Sequence, residues 1–124
     1  MARISLLLDT DIFIDYFNTG RLHALFDSSR FIVYYSIITR KELLTKPGLR
    51  DNERASIMAE LSRCRLIALT DSIAARHSDL RRRYPSLEQA DALIAATALI
   101  KRLPLMTRNK RHFKVVSDLI LFGE

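Results

Sequence analysis

Apolar positions in this chain follow two alternating rhythms, short unbroken runs and helical spacings. Ile4 to Leu8 is a short apolar run ending at a carboxylate, Asp9, which predicts a strand buried in a parallel sheet. Asp11 to Phe17 then changes to helical spacing, with Ile12, Phe13, Tyr16 and Phe17 on one side and Thr10 or Asp11 as N-cap. Asn18-Thr19-Gly20 breaks the chain, and Leu22 to Phe26 suggests a further helix. Phe31 to Tyr35 predicts a second strand, and Ser36 caps a helix over Ile37 to Leu44 that stops at Lys46-Pro47-Gly48. Helices over Asp51 to Leu61 and Asp71 to Arg83 enclose a third strand, Arg65 to Leu69. Ser86-Leu87-Glu88-Gln89 matches a capping box that opens a helix running to about Arg102, where Leu103-Pro104 ends it. Leu105 to Thr107 reads as a short strand, Arg108 to Phe113 as a polar loop, and Leu119 to Phe122 as a last strand. Strands alternating with helices predict an α/β/α sandwich around a mostly parallel sheet.

The length of 124 residues suits one compact domain, residues 1–124, with 48% hydrophobic and 27% charged residues excluding a disordered chain. A single cysteine, Cys64, excludes an internal disulfide and a Cys-rich zinc site. No apolar run approaches the length of a membrane span, and Asp9 comes too early for a signal peptide, so a soluble cytoplasmic protein is expected. Charge is uneven. Residues 1–62 balance eight Lys/Arg against eight Asp/Glu, whereas residues 63–124 carry twelve against six, so the net +6 lies in the second half. That asymmetry favours a polyanionic partner, with a solubilising basic surface as the plain alternative.

In a parallel α/β sheet, ligands gather at the carboxyl ends of the strands. The polar residues expected there are Asp9, Asp11 and Asp15 after the first strand, Glu42 on the helix after the second, and Thr107-Arg108-Asn109 after the strand before the last loop. Asp91 is the most informative acid, because the helix around it, Ala90 to Ile100, is apolar almost all round. A carboxylate in such company is costly unless a cation or several donors meet it. Counted from Ser86, Asp91 is the fifth helical residue, beyond the turn in which the helix dipole would account for it. Asp9, Asp11 and Asp15 repel one another, and a divalent cation is the usual compensation, although each also suits a helix N-terminus. Glu42 equally suits an i,i+4 pair with Lys46, and Asn109 a simple loop.

Other chemistries find no support. His23, His77 and His112 are scattered, Cys64 has no activating neighbour, and Gly20, Gly48 and Gly123 form no phosphate-binding loop. Carboxylates and arginines are the equipment of metal-dependent phosphate chemistry. Two rival classes share parts of the pattern. Asp9-Thr10-Asp11 opens like a haloacid-dehalogenase-type phosphatase, but Phe13 stands where that pattern wants Thr or Val. A receiver-type signalling module would share the length, early acids and late Lys110, with Asp71 as phosphoacceptor.

Four blocks of the chain resemble the PIN-domain family, and its VapC-type ribonuclease toxins in particular. They are Leu6 to Asp11, Ser36 to Leu43, Asp91 to Ala98 and Leu105 to Phe113, in the family's order. The resemblance implies a PIN-like α/β/α fold and a Mg²⁺- or Mn²⁺-dependent endoribonuclease, the toxin of a type II toxin–antitoxin pair. Asp9, Glu42 and Asp91 match the family's acidic positions, and Asn109 falls where many members carry a fourth acid. Asp9 and Asp91 are thus the implied metal ligands. Glu42 is a further candidate, and Asp11 either joins them or only caps its helix. Arg108, Lys110 and Arg111, with Lys114, then lie where RNA phosphates would pass, and Arg81 to Arg83 fit either RNA contact or a helix C-terminus. The resemblance further implies a homodimer and an antitoxin partner. Phe13, Phe17, Leu22 and Phe26 offer an apolar face to that partner, although most such side chains fill cores.

Overall fold

A computed structural model describes residues 2–123. The sheet holds β1 (Ile4–Leu8), β2 (Phe31–Ser36), β3 (Arg65–Ile67) and β4 (Leu105–Met106), all parallel, in the order β3-β2-β1-β4. The helices are α1 (Thr10–Thr19), α2 (Ala24–Asp27), α3 (Ile37–Leu44), α4 (Asp51–Leu61), α5 (Asp71–Arg83), α6 (Gln89–Lys101) and α7 (Lys110–Phe113).

Successive side chains of a strand point to opposite faces, so β1 feeds two cores. Leu7 packs with Ile73, Leu80, Ile94, Ala95 and Leu105 under α5 and α6, while Leu6 and Leu8 pack with Ile12, Phe13, Val33, Leu43 and Ile57 under α1, α3 and α4. Leu6, Leu7 and Leu8 are fully buried, each removing from water a side chain worth about 1.5–3 kcal/mol. This double coverage is why the run is unbroken rather than alternating. It also places β1 beside β4, register Leu7 to Leu105, so the residues that follow the two strands share one edge.

Several boundaries differ from the sequence expectation. Asp9 itself caps α1, accepting from the Thr10 N–H, because the strand turns into the helix without an intervening loop. Gly20 then ends α1 in the left-handed region at φ 74°, its N–H bonded to the Tyr16 carbonyl. The third strand stops at Ile67, since Thr70 must turn to cap α5 through the Ile73 N–H. Leu119–Phe122 forms no strand, only a single bridge between Leu105 and Leu121. The expected polar loop after β4 contains the short helix α7, anchored by the buried Phe113.

The start of α6 is the correction that matters most. Glu88, not Ser86, is the N-cap, with extended backbone angles of −65° and 156°. Leu87 is held back by its N–H bond to the Tyr84 carbonyl and by the Arg81 guanidinium donating to its own carbonyl. Asp91 is therefore in the first turn of α6, where the helix dipole does favour an anion. Arg82 and Arg83 pair with Asp79 on the same helix, Arg83 also lies over the Tyr84 ring, and both keep much of their length exposed. Among the described residues no helix is long and apolar enough to cross a membrane.

Candidate active site

The carboxyl edge of the sheet collects the acids. Asp9 follows β1 directly and is 4% exposed. Its Oδ1 accepts the Thr10 N–H at 2.8 Å and its Oδ2 the Thr107 hydroxyl at 2.7 Å, so both oxygens are fixed. Burial pushes the Asp9 carboxyl up to about 7, with the charge of Asp11 adding to it and that of Asp91 adding less. Thr107 and Thr10, which draw the other way, are neutral donors and cannot cancel the charge.

Asp11 lies one helical step on. Its Oδ1 takes the Arg108 N–H at 3.4 Å, while its Oδ2 is buried with no hydrogen-bond partner among the described residues. Burial raises its affinity for a proton. Asp91 is raised for the same reason, helped by Glu88, Glu42 and Asp11 and opposed by His112, whose Nδ1 is 3.8 Å from Asp91 Oδ2. Desolvation and like charge thus outweigh the favourable dipole of the first turn. Glu42 is an exposed residue of α3 whose Oε1 accepts the Thr10 hydroxyl at 2.7 Å. Among the described residues it makes no ion pair with Lys46.

These four carboxyl groups lie within electrostatic reach of one another, yet among the described residues no three His, Cys, Asp or Glu side chains are close enough to clasp one ion. What they share is an excess of hard oxygen and a deficit of positive charge. An unpartnered buried oxygen on Asp11 and a buried Asp9 poised near neutrality are what a divalent cation would relieve. Carboxylate oxygens are chemically the donors such an ion takes, and the side chains would have to draw closer to enclose it.

Asn109 is exposed, and its N–H bonds to the Thr107 hydroxyl at 3.0 Å. Arg108 donates its backbone N–H to Asp11 and places its guanidinium 2.7 Å from Asp15, so the arginine bridges the loop after β4 to α1. Lys110 and Arg111 open α7 beside it. The sequence placed Thr107 at this edge and Thr10 as a helix cap without giving either a part in holding the acids, and it did not single out Thr39; all three are buried. Thr107 immediately follows β4 at the edge where Asp9 follows β1. His112 was set aside as surface, and though exposed it faces Asp91.

Beside the acids runs a groove of about 650 Å³ between α1, α3 and α4, lined by Ile14, Phe17, Leu49 and Ile57 with Thr10 and Glu42 at its edge. Of the expected apolar face, Phe13 is fully buried, and Phe17 and Phe26 cluster with Tyr16. Leu22 is exposed, and Ile14, also exposed, opens onto the groove beside Phe17.

The chain belongs to the PIN-domain family, whose model matches residues 6–119. Within that family it is similar to Ribonuclease VapC1 of Methanocaldococcus jannaschii, 31% identical over 118 residues that cover 91% of this chain and 82% of the relative. It is also similar to Ribonuclease VapC19 of Mycobacterium tuberculosis, 39% identical over 88 residues, 68% of this chain and 69% of the relative. A toxin–antitoxin complex from Klebsiella pneumoniae aligns at 30% identity with a TM-score of 0.73, covering 93% of this chain and 95% of that one. The VapBC2 structure of Rickettsia felis, bound to a promoter DNA fragment, shares the fold with a TM-score of 0.80 at 23% identity, covering 95% of this chain and 97% of that one.

Proposed function

We infer that this chain is a metal-dependent endoribonuclease, using Mg²⁺ or Mn²⁺, and acts as the toxin of a toxin–antitoxin pair. The observation that carries the reading is the convergence of acids at the carboxyl edge, where Asp9 is buried and Asp11 and Asp91 are half-buried. Desolvation raises all three toward the protonated form, and repulsion from neighbouring acids adds to it at Asp9 and Asp91. The ribonuclease relatives support the reaction class. Asp9 and Asp91 would hold the metal, with Asp11 and Glu42 completing or flanking it. When bound, the metal would polarise the scissile phosphate and lower the pKa of water. Thr10 and Thr107 fix the Asp9 oxygens, so little side-chain entropy would be lost when Asp9 meets the ion. Asn109 brings a neutral amide to the same edge, where it can meet phosphate without adding repulsion.

The rival readings gain nothing. Asp71 follows the edge strand β3 rather than a central strand, and Asp91 lies within a helix. The groove along Ile14, Phe17 and Ile57 suits an apolar antitoxin segment, and its Glu42 edge would let a basic side chain of that segment reach the acids. The family resemblance adds a homodimer to this proposal.

The direct test is incubation of the purified chain with RNA and Mg²⁺ or Mn²⁺. Cleavage that EDTA stops is expected, and metal-independent cleavage would contradict the reading. Lys110 and Arg111 lead from the acids along α7, and we place RNA phosphates against them. Arg108 is engaged with Asp15, so it contributes less to that path than the sequence suggested. Changing Lys110 and Arg111 to Ala is expected to lower the salt slope of single-stranded RNA binding by about 1.4, two phosphate contacts' worth. An unchanged slope in a filter-binding titration would return both to ordinary surface.

A further inference from the structure

We propose that Thr39 and Thr10 form a hydroxyl relay that positions Glu42 as a metal ligand, an inference that rests on the metal-dependent reading above. Thr39 is fully buried on α3, one turn before Glu42, and Thr10 is 7% exposed at the first position of α1. Their hydroxyl oxygens are 2.9 Å apart, and the Thr10 hydroxyl lies 2.7 Å from Glu42 Oε1.

Proton counting sets the direction of this chain. A carboxylate only accepts, so the single hydroxyl proton of Thr10 goes to Glu42. The Thr39–Thr10 contact then takes its proton from Thr39. Each hydroxyl has one proton and one task, and the order Thr39 to Thr10 to Glu42 is the arrangement that satisfies all three. The last acceptor is the charged one, which strengthens the bond feeding it.

The arrangement answers a difficulty in the site. Glu42 is an exposed residue on a flexible side chain, and a glutamate in that setting samples several rotamers. Among the described residues Thr39, one turn before Glu42 on α3, makes no direct hydrogen bond to that carboxylate. Through Thr10 the two are linked, and Oε1 is tied down while Oε2 is left to face an ion. Thr10 also follows Asp9, whose Oδ1 holds the Thr10 N–H, so one residue orients two acids from its two ends. Thr39 and Thr10 are positioning residues in this account and touch neither metal nor RNA.

The test compares Thr39→Val, which keeps the shape and removes the proton, with Thr39→Ser, which keeps the proton and loses a methyl. Mn²⁺ binding by electron paramagnetic resonance is the readout, alongside thermal unfolding in EDTA. Outer partners of metal ligands are worth about 10- to 100-fold in metal affinity, so Thr39→Val is expected to weaken Mn²⁺ binding within that range. Thr39→Ser should stay within about threefold of the parent, close to the tolerance of an intact hydrogen bond. A purely structural threonine would cost thermal stability in both variants, Ser through a void and Val through the lost hydrogen bond, without a loss of Mn²⁺ affinity specific to Thr39→Val. Parent-like Mn²⁺ affinity in Thr39→Val, with Glu42→Gln weakened, would overturn the relay alone. Parent-like affinity in Glu42→Gln would overturn Glu42 as a ligand and the relay with it. Should Thr39→Val fail to fold, Thr10→Val against Thr10→Ser breaks and restores the same chain one link further on.

Discussion

Replacing Asp9 with Asn is expected to abolish metal-dependent RNA cleavage and, without metal, to stabilise the fold. Even residues that only support a metal ligand cost about 10–100-fold, so losing the ligand itself should cut cleavage by more than about 100-fold. The stability gain has a separate origin. Asp9 is 4% exposed, next to Asp11 and within reach of Asp91, and its carboxyl is pushed from 3.8 to about 7. At a pH above both values, that displacement is equivalent to about 4 kcal/mol of unfavourable charge burial. Asn removes the charge and keeps an oxygen for the Thr10 N–H, while the Thr107 hydroxyl can turn to accept from the new amide. Part of the cost should therefore be recovered, about 1–3 kcal/mol, or about 4 °C in the unfolding midpoint for each kcal/mol. Differential scanning fluorimetry in EDTA at pH 8 checks this. A midpoint lower than the parent's would mean that the carboxylate is satisfied by protein groups alone.

The same carboxyl predicts how metal-free stability depends on pH. Between about 4 and 7, folded Asp9 holds a proton that the unfolded chain has released. Unfolding then releases protons, so stability falls as pH rises through this window and levels off above it. The slope attributable to Asp9 approaches about 1.4 kcal/mol per pH unit at most. Asp11 and Asp91 are displaced in the same direction by burial and add to the effect. Asp9→Asn should flatten the slope. Divalent metal should reverse its sign, because the ion binds the deprotonated form and competes with the proton. Urea denaturation at pH 5, 6, 7 and 8, with EDTA and then with Mn²⁺, measures both limbs. A parent protein whose metal-free stability rises between pH 5 and 7 would contradict the assignment.

How much of this was legible in the sequence depended on distance along the chain. The strand at Ile4–Leu8 announces itself because its stretch Leu6 to Leu8, buried on both faces, has no polar position. Ser36 reads as a cap because its partner, the Ile38 N–H, is two residues away. Asp9 stood out as the acid ending an apolar strand and Asp91 as an acid within an apolar helix, whereas Glu42 suited a pair with Lys46 equally well and was assigned by the family resemblance. The start of α6 misled, because Ser86 to Gln89 satisfies a capping box locally while Arg81, on another helix, holds the Leu87 carbonyl. The consequence was an argument about Asp91 that the fold removes, since it does lie in the first turn. Its unusual setting comes instead from burial and from Glu88, Glu42 and Asp11 around it. The hydroxyls that orient the acids were invisible for a related reason. Thr107 is 98 residues from Asp9, and Thr10 is 29 from Thr39 and 32 from Glu42. Periodicity reports which face a residue takes within its own element, and not which side chain of another element will meet it.

The central claim is that the acids at the carboxyl edge of the sheet hold the metal on which RNA cleavage depends. Mn²⁺ titration of the parent and of Asp91→Asn, followed by electron paramagnetic resonance with RNA cleavage measured on the same samples, tests it most directly. Asp91→Asn should keep the parent's circular dichroism, bind Mn²⁺ more than about 100-fold more weakly and leave RNA intact. A folded Asp91→Asn protein that binds Mn²⁺ and cleaves RNA as the parent does would contradict it.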